Sequence, residues 1–99
     1  MAPRMTRGSG NVFEDVGFPP AEAAHMLIRA DLMHLLTNLI EKRGLTQKQA
    51  AKALGVTQPR ISDLTRGRMQ LFSIDMLVEM LAHLGVAVTL TAKRRARMA

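Results

Sequence analysis

The chain has 99 residues, 47% of them hydrophobic, with three Phe, no Trp, no Tyr, no Cys and a formal charge of +6. That is one small domain with an aliphatic core, in which disulfides and thiolate metal sites are excluded and few aromatics exist to stack on single-stranded bases. No apolar run approaches the roughly 20 residues of a membrane helix, and Arg4 and Arg7 precede no apolar leader segment, so the expected location is the cytoplasm.

Residues 1–10, MAPRMTRGSG, carry Pro, Gly and Ser without an apolar period and are expected to form a disordered arm. NVFEDVGF follows and ends before Pro19-Pro20. It reads as an extended or turn segment that docks Phe13 and Phe18 on the body. From Pro20 the pattern becomes helical, with Ala24, Leu27, Ile28, Leu32, Leu35, Leu36, Leu39 and Ile40 at three- and four-residue steps. Pro20 suits a first turn and Gly44 a stop. This is either one long helix or two with a break near Ala30-Asp31.

Thr46 reads as an N-cap with Gln49 as its capping-box partner, opening a helix over Gln47–Leu54 that buries Ala50, Ala51 and Leu54. Gly55 is its C-cap. The next helix contains Pro59, which lacks an N–H and is tolerated only in the first turn. The proline therefore marks a helix start, with Thr57 or Gln58 as the cap; the bias of pre-proline residues away from the α region favours Gln58. Gly67 ends this helix, and RMQLF is loop. Ser73 caps a further helix with Ile74, Leu77, Val78, Leu81 and Leu84 on one face, and Gly85 stops it. VAVTLTA, residues 86–92, is β-branched and partly alternating, so it reads as a single strand. One strand needs a partner: the N-terminal segment of its own chain, or the same strand of a second subunit. Residues 93–99 form a basic tail.

TQKQAAKAL, GVT and QPRISDL together read as a helix-turn-helix unit over 46–66. At about 100° per residue, Ile61 and Leu64 face inward while Gln58, Pro59, Ser62, Asp63 and Arg66 project outward, the face that would enter a major groove. Gln58 matches adenine N6 and N7, and Arg60 suits guanine or a phosphate. Asp63 either accepts from cytosine N4 or pairs with Arg60 or Arg66. Base-contact candidates are thus Thr57, Gln58, Pro59, Arg60, Ser62 and Asp63. Phosphate candidates are Gln47, Lys42, Arg43, Lys48, Arg66 and Arg68, which add affinity and salt dependence rather than sequence preference. Charge distribution agrees. Residues 42–68 hold seven bases and one acid, whereas residues 11–41 hold five acids and one base, which suggests two surfaces with different partners.

LTQKQAAKALGVTQPRISDLTRG, residues 45–67, resembles the Xre-type, lambda-repressor-like helix-turn-helix family without gaps. Within that family the chain looks most like the HigA-type antitoxins of type II toxin-antitoxin systems. NVFEDVG (11–17) matches their N-V-F-x-D-x-G style start, and FSIDMLVEMLAHLGVAV (72–88) matches their closing helix and LG-x-x-V end. The resemblance implies a mainly α domain over 11–92 with four to five helices and one C-terminal strand, dimerising through Val86, Val88 and Leu90. It implies a homodimeric repressor of its own operon on a palindromic operator, with a RelE/HigB-like RNase toxin as partner. By the family pattern, the positions of Gln47, Thr57, Gln58 and Asp63 contact DNA. Phage-repressor relatives often carry a polar residue where this chain has Pro59, which offers only apolar contact, for instance to a thymine methyl.

No catalysis and no cofactor are expected. His25, His34 and His83 lack metal-ligand spacing. Ser9 and Ser73 have no ordered His and acid partners, and the adjacent Glu14 and Asp15 do not form a paired-carboxylate site. Met76 and Met80 are either extra core or an adaptable protein-binding surface. Two rival functions are a stand-alone Xre-type regulator without a toxin, and a protein-interaction or RNA-binding module; the dearth of aromatics disfavours the latter's RNA form.

Overall fold

Each helix begins and ends where a particular side chain or backbone angle dictates. The structure is a computed structural model that describes residues 11–94. The expected disordered arm, residues 1–10, and residues 95–99 of the basic tail lie outside the described residues.

Helix α1, Val12–Asp15, occupies the stretch expected to be extended or a turn. Asn11 explains the difference. Its side-chain oxygen accepts from the backbone N–H groups of Phe13 (2.9 Å) and Glu14 (3.2 Å), and Glu14 and Asp15 then sit in the first turn, where the helix dipole favours acids. The Asn11 amide donates to the Ala23 carbonyl at 2.9 Å, fastening α1 to the next helix. Phe13 and Phe18 meet edge to face, centroids 6.4 Å apart. They pack on each other, and Phe18 remains exposed.

Helix α2, Pro20–Lys42, is unbroken, with Pro20 in its first turn. Nothing at Ala30-Asp31 interrupts it, since both positions keep their N–H and Ala is the best helix former. It is about 34 Å long at 1.5 Å per residue. Its buried face is Ala23, Leu32, Met33, Leu36 and Ile40, so the inward stripe is displaced from the expected one: Ala24 and Ile28 are exposed.

Three further helices follow: α3 (Gln47–Leu54), α4 (Gln58–Thr65) and α5 (Ile74–His83), with a 3-10 turn, Met69–Leu71, in the loop before α5. Ser73 caps α5 by accepting from the Met76 N–H at 3.1 Å. Helices α2 and α5 pack together as the frame, and α3 and α4 pack against each other on it. Leu36, Leu54, Ile61, Leu64, Phe72, Leu77 and Leu81 form the fully buried centre. Met33 and Met80 are core residues, whereas Met76 is half-buried beside it.

No β-strand is present among the described residues. Residues 86–94 have neither helix nor ladder. A strand is defined by its partner, and one of the two candidate partners, the N-terminal segment, is folded as α1 against α2. Val86 and Val88 lean on the core, while Leu90 is 88% exposed.

Candidate nucleic-acid interface

The α3–α4 unit is fixed at both helix starts and at its turn. Thr46 and Gln49 make the expected reciprocal pair: the Gln49 N–H donates to Thr46 Oγ1 (3.1 Å), and the Thr46 N–H donates to Gln49 Oε1 (2.9 Å). At the other end Gly55 takes φ +73, ψ +30. There the Val56 N–H reaches the Ala51 carbonyl at 2.9 Å and the Gly55 N–H the Lys52 carbonyl at 3.3 Å, the paired bonds of a Schellman stop. A Cβ at residue 55 would sit 3.3 Å from His83 Cε1, so the turn also passes close to the end of α5.

The cap of α4 is Thr57, not Gln58. Thr57 Oγ1 accepts from the Arg60 N–H at 3.3 Å, Gln58 is the first helical residue and Pro59 the second. A short hydroxyl side chain reaches back to the third N–H more readily than a long amide, and this outweighs the pre-proline bias.

Burial separates the two sides of α4. Ile61 and Leu64 are each 1% exposed. Thr57, Gln58, Pro59, Thr65 and Arg66 are exposed, and Ser62 and Asp63 are half-exposed. At about 100° per residue, Pro59, Ser62, Asp63 and Arg66 lie opposite the buried pair, with Gln58 at one edge. Asp63 does not pair with Arg60 or Arg66; its carboxylate lies 3.9 Å from Arg68 Nε, a loose surface pair. It therefore keeps acceptor capacity on the outward face. Gln47 and Lys48 stand exposed on the first turn of α3, and Lys42 is exposed at the end of α2.

Two arginines are engaged within the fold. Arg43 donates to the Leu84 carbonyl at 3.0 Å, tying the end of α2 to the end of α5. Arg60 donates from Nη1 to the Leu71 carbonyl at 3.2 Å, and its guanidinium carbon lies 5.4 Å from the centre of the Phe72 ring. Its side chain is thus turned along the protein toward the loop after α4. Sequence reasoning missed a third, Arg29, which donates from α2 to the carbonyls of Met69 (3.3 Å) and Phe72 (3.4 Å). Its signal was available: residues 29, 32, 33, 36 and 40 share one helical face, and Arg29 is the only base among residues 11–41.

Among the described residues no group of three or more His, Asp or Glu is placed to hold a metal ion, and no helix is long and apolar enough to cross a membrane. The arrangement presents a two-helix unit whose second helix offers a polar face that includes Arg66, while Lys48 and Lys52 of α3 and Arg68 after α4 are exposed. An α-helix of this size fits a major groove, and such cations neutralise backbone phosphates.

Comparison with known proteins agrees with this geometry. A family model described as "Helix-turn-helix domain" matches residues 12–93. A solved structure named "Putative XRE Family Transcriptional Regulator" superimposes with a TM-score of 0.66 at 31% sequence identity, over 82% of this chain and 91% of that one. No curated protein matches.

Proposed function

The chain belongs to the XRE-type helix-turn-helix family of DNA-binding transcriptional regulators, and from that premise we propose that it is a sequence-specific repressor, the antitoxin of a type II toxin-antitoxin pair. The observation that carries the DNA-binding part is the two-sidedness of α4: a buried Ile61–Leu64 side holds the helix rigidly, and the opposite side stands open at the surface. In this reading Thr57, Gln58, Pro59, Ser62 and Asp63 meet base edges. Gln58 pairs with adenine, Asp63 accepts from cytosine, and Pro59 touches a thymine methyl. Gln47, Lys42, Lys48, Arg66 and Arg68 meet phosphates, Gln47 with the open N–H end of α3 behind it. Arg43, while bonded to Leu84, adds charge at the rim.

The repressor acts as a homodimer. Residues 86–92 pair with the same residues of a second copy, Val86 and Val88 closing over the core and Leu90 covered by the partner. The exposure of Leu90 and the absence of any ladder along this segment in the single chain support that pairing. Two recognition helices then stand about 34 Å apart on an inverted repeat. The toxin, a RelE/HigB-like RNase, and autoregulation of the operon are supported by the likeness of residues 11–17 and 72–88 to the HigA pattern. The protein performs no catalysis and uses no cofactor in this account.

The second reading is a stand-alone regulator without a toxin, favoured by the plain regulator name of the matched structure. Gel shift on the DNA upstream of the gene, with and without the neighbouring gene product, separates the two. A shift altered by that product supports the antitoxin. A shift indifferent to it, with no co-purifying partner, supports the stand-alone regulator, and no shift at all refutes both.

A further inference from the structure

The loop between α4 and α5 is held from two sides by guanidinium groups. Arg29 reaches it from α2 and bonds the carbonyls of Met69 and Phe72. Arg60 reaches it from α4, bonds the Leu71 carbonyl and lies over the Phe72 ring. Three of the four carbonyls from Met69 to Phe72 are therefore taken by arginines of two different helices. The internal turn bonds serve the Met69 carbonyl, which also accepts from the Phe72 N–H at 3.1 Å, but not those of Leu71 and Phe72.

Arg29 is an expensive way to fasten a loop. Its Nε is buried without a hydrogen-bond partner, a penalty that Leu or Met at this core-facing position would not incur. Its planar fork, however, supplies directional bonds to the loop that an apolar side chain cannot. Arg60 is equally specific. It sits in the first turn of the helix that faces DNA, yet its cationic end points along the protein.

The loop so held carries Arg68 and Gln70, both exposed and directly after α4. Arg68 is further tied to the α4 frame by its N–H, which donates to the Asp63 carbonyl at 3.0 Å. We propose that Arg29 and Arg60 are positioning residues: a two-sided guanidinium clamp that sets the Arg68–Gln70 stretch in fixed register with α4, so that backbone contact and base reading occur together. This rests on the DNA-binding reading above. Arg60 then acts through the loop rather than as a reader of guanine.

The test uses full-length protein and a duplex selected by the wild type from a random library. The variants are Arg60→Lys, which keeps the charge but loses the fork and the stacking, and Arg29→Met. Affinity is measured for the selected duplex and for each of its single base-pair substitutions. Both variants are expected to bind every duplex roughly tenfold more weakly, about the worth of one charge-assisted hydrogen bond, with the pattern of base preference unchanged. Relaxed preference at one base pair in Arg60→Lys, with Arg29→Met binding as the wild type does, makes Arg60 a base reader and overturns the clamp. Amide exchange in the free protein decides the question without DNA. The Leu71 and Phe72 amides are expected to exchange roughly tenfold faster in either variant while Leu77 and Leu81 stay protected. Unchanged loop exchange overturns the proposal. If the wild type selects no duplex, the DNA-binding reading falls, and the exchange result still judges the clamp.

Discussion

Replacing Gly55 by Ala tests the turn that sets α3 against α4. An L residue held at left-handed angles costs about 1–2 kcal/mol, offset by about 0.4–1 kcal/mol because the unfolded chain loses freedom. The new methyl also meets His83, whose Cε1 and Nε2 lie 3.3 and 3.4 Å from the ideal Cβ position. His83 is exposed and can swing aside, at the price of roughly 0.5–1.5 kcal/mol for an off-rotamer ring. The sum is a loss of about 0.5–3 kcal/mol, which for a domain of this size lowers Tm by roughly 2–25 °C. Gly85 supplies the control. Its φ is +81, close to that of Gly55, but a Cβ there meets nothing within 4 Å. Gly85→Ala should therefore cost only the backbone share. Thermal unfolding followed by circular dichroism measures Gly55→Ala, Gly85→Ala, His83→Ala and the Gly55→Ala/His83→Ala pair. The account expects Gly55→Ala to be the worst single variant and the His83→Ala background to remove its excess over Gly85→Ala. Equal losses at the two glycines, or an excess that survives removal of the imidazole, would refute the reasoning about this contact.

Gln58→Ala should weaken binding by about 1–3 kcal/mol for the preferred duplex and relax preference at one base pair, read by titrating single-substitution duplexes. Arg66→Ala and Lys48→Ala should each reduce the slope of log K against log salt by about 1 without altering preference; an unchanged slope removes that residue from the phosphate set. Thr46→Ala deletes the side-chain half of the capping box, leaving the residue-46 N–H to donate to Gln49 Oε1, and should cost about 1 kcal/mol in urea unfolding, whereas a neutral result would mean the α3 start is held without the Thr46 hydroxyl. Leu90→Lys should convert dimer to monomer in sedimentation velocity and leave the helical circular dichroism unchanged; a dimer that persists rules out pairing through residues 86–92.

Elements governed by local chemistry were readable from the chain. Thr46 with Gln49, Gly55, Pro59 and Ser73 each announce a helix boundary through a bond or an angle that only a few residue types supply, so α3, α4 and α5 fall where expected. The Ile61–Leu64 pair likewise identifies the inward side of α4. What was less legible depends on other parts of the molecule. Asn11 caps a four-residue helix, and its amide then bonds Ala23 twelve positions away, which no local pattern encodes. The inward face of α2 is set by what α5 and α4 present to it, and an apolar stripe as broad as that of α2 fits several rotations. Long flexible cations are the least legible: nothing local says that Arg60 and Arg43 turn back onto carbonyls 11 and 41 residues away. The strand expected over 86–92 is a different case: β-branched alternation marks a segment that can pair, but a ladder needs a partner, and among the described residues none is made there.

The central claim is that the outward side of α4 lies in the major groove. It is tested most directly by atom deletion in the selected duplex. Replacing adenine with 7-deazaadenine and thymine with uracil removes major-groove features alone, and replacing guanine with inosine removes only the minor-groove amine. The account predicts that the first pair of changes weakens binding by the wild type, that Gln58→Ala and Pro59→Ala blunt the effect at single positions, and that inosine leaves affinity intact. Sensitivity to inosine alone, or indifference to every major-groove deletion, would contradict it.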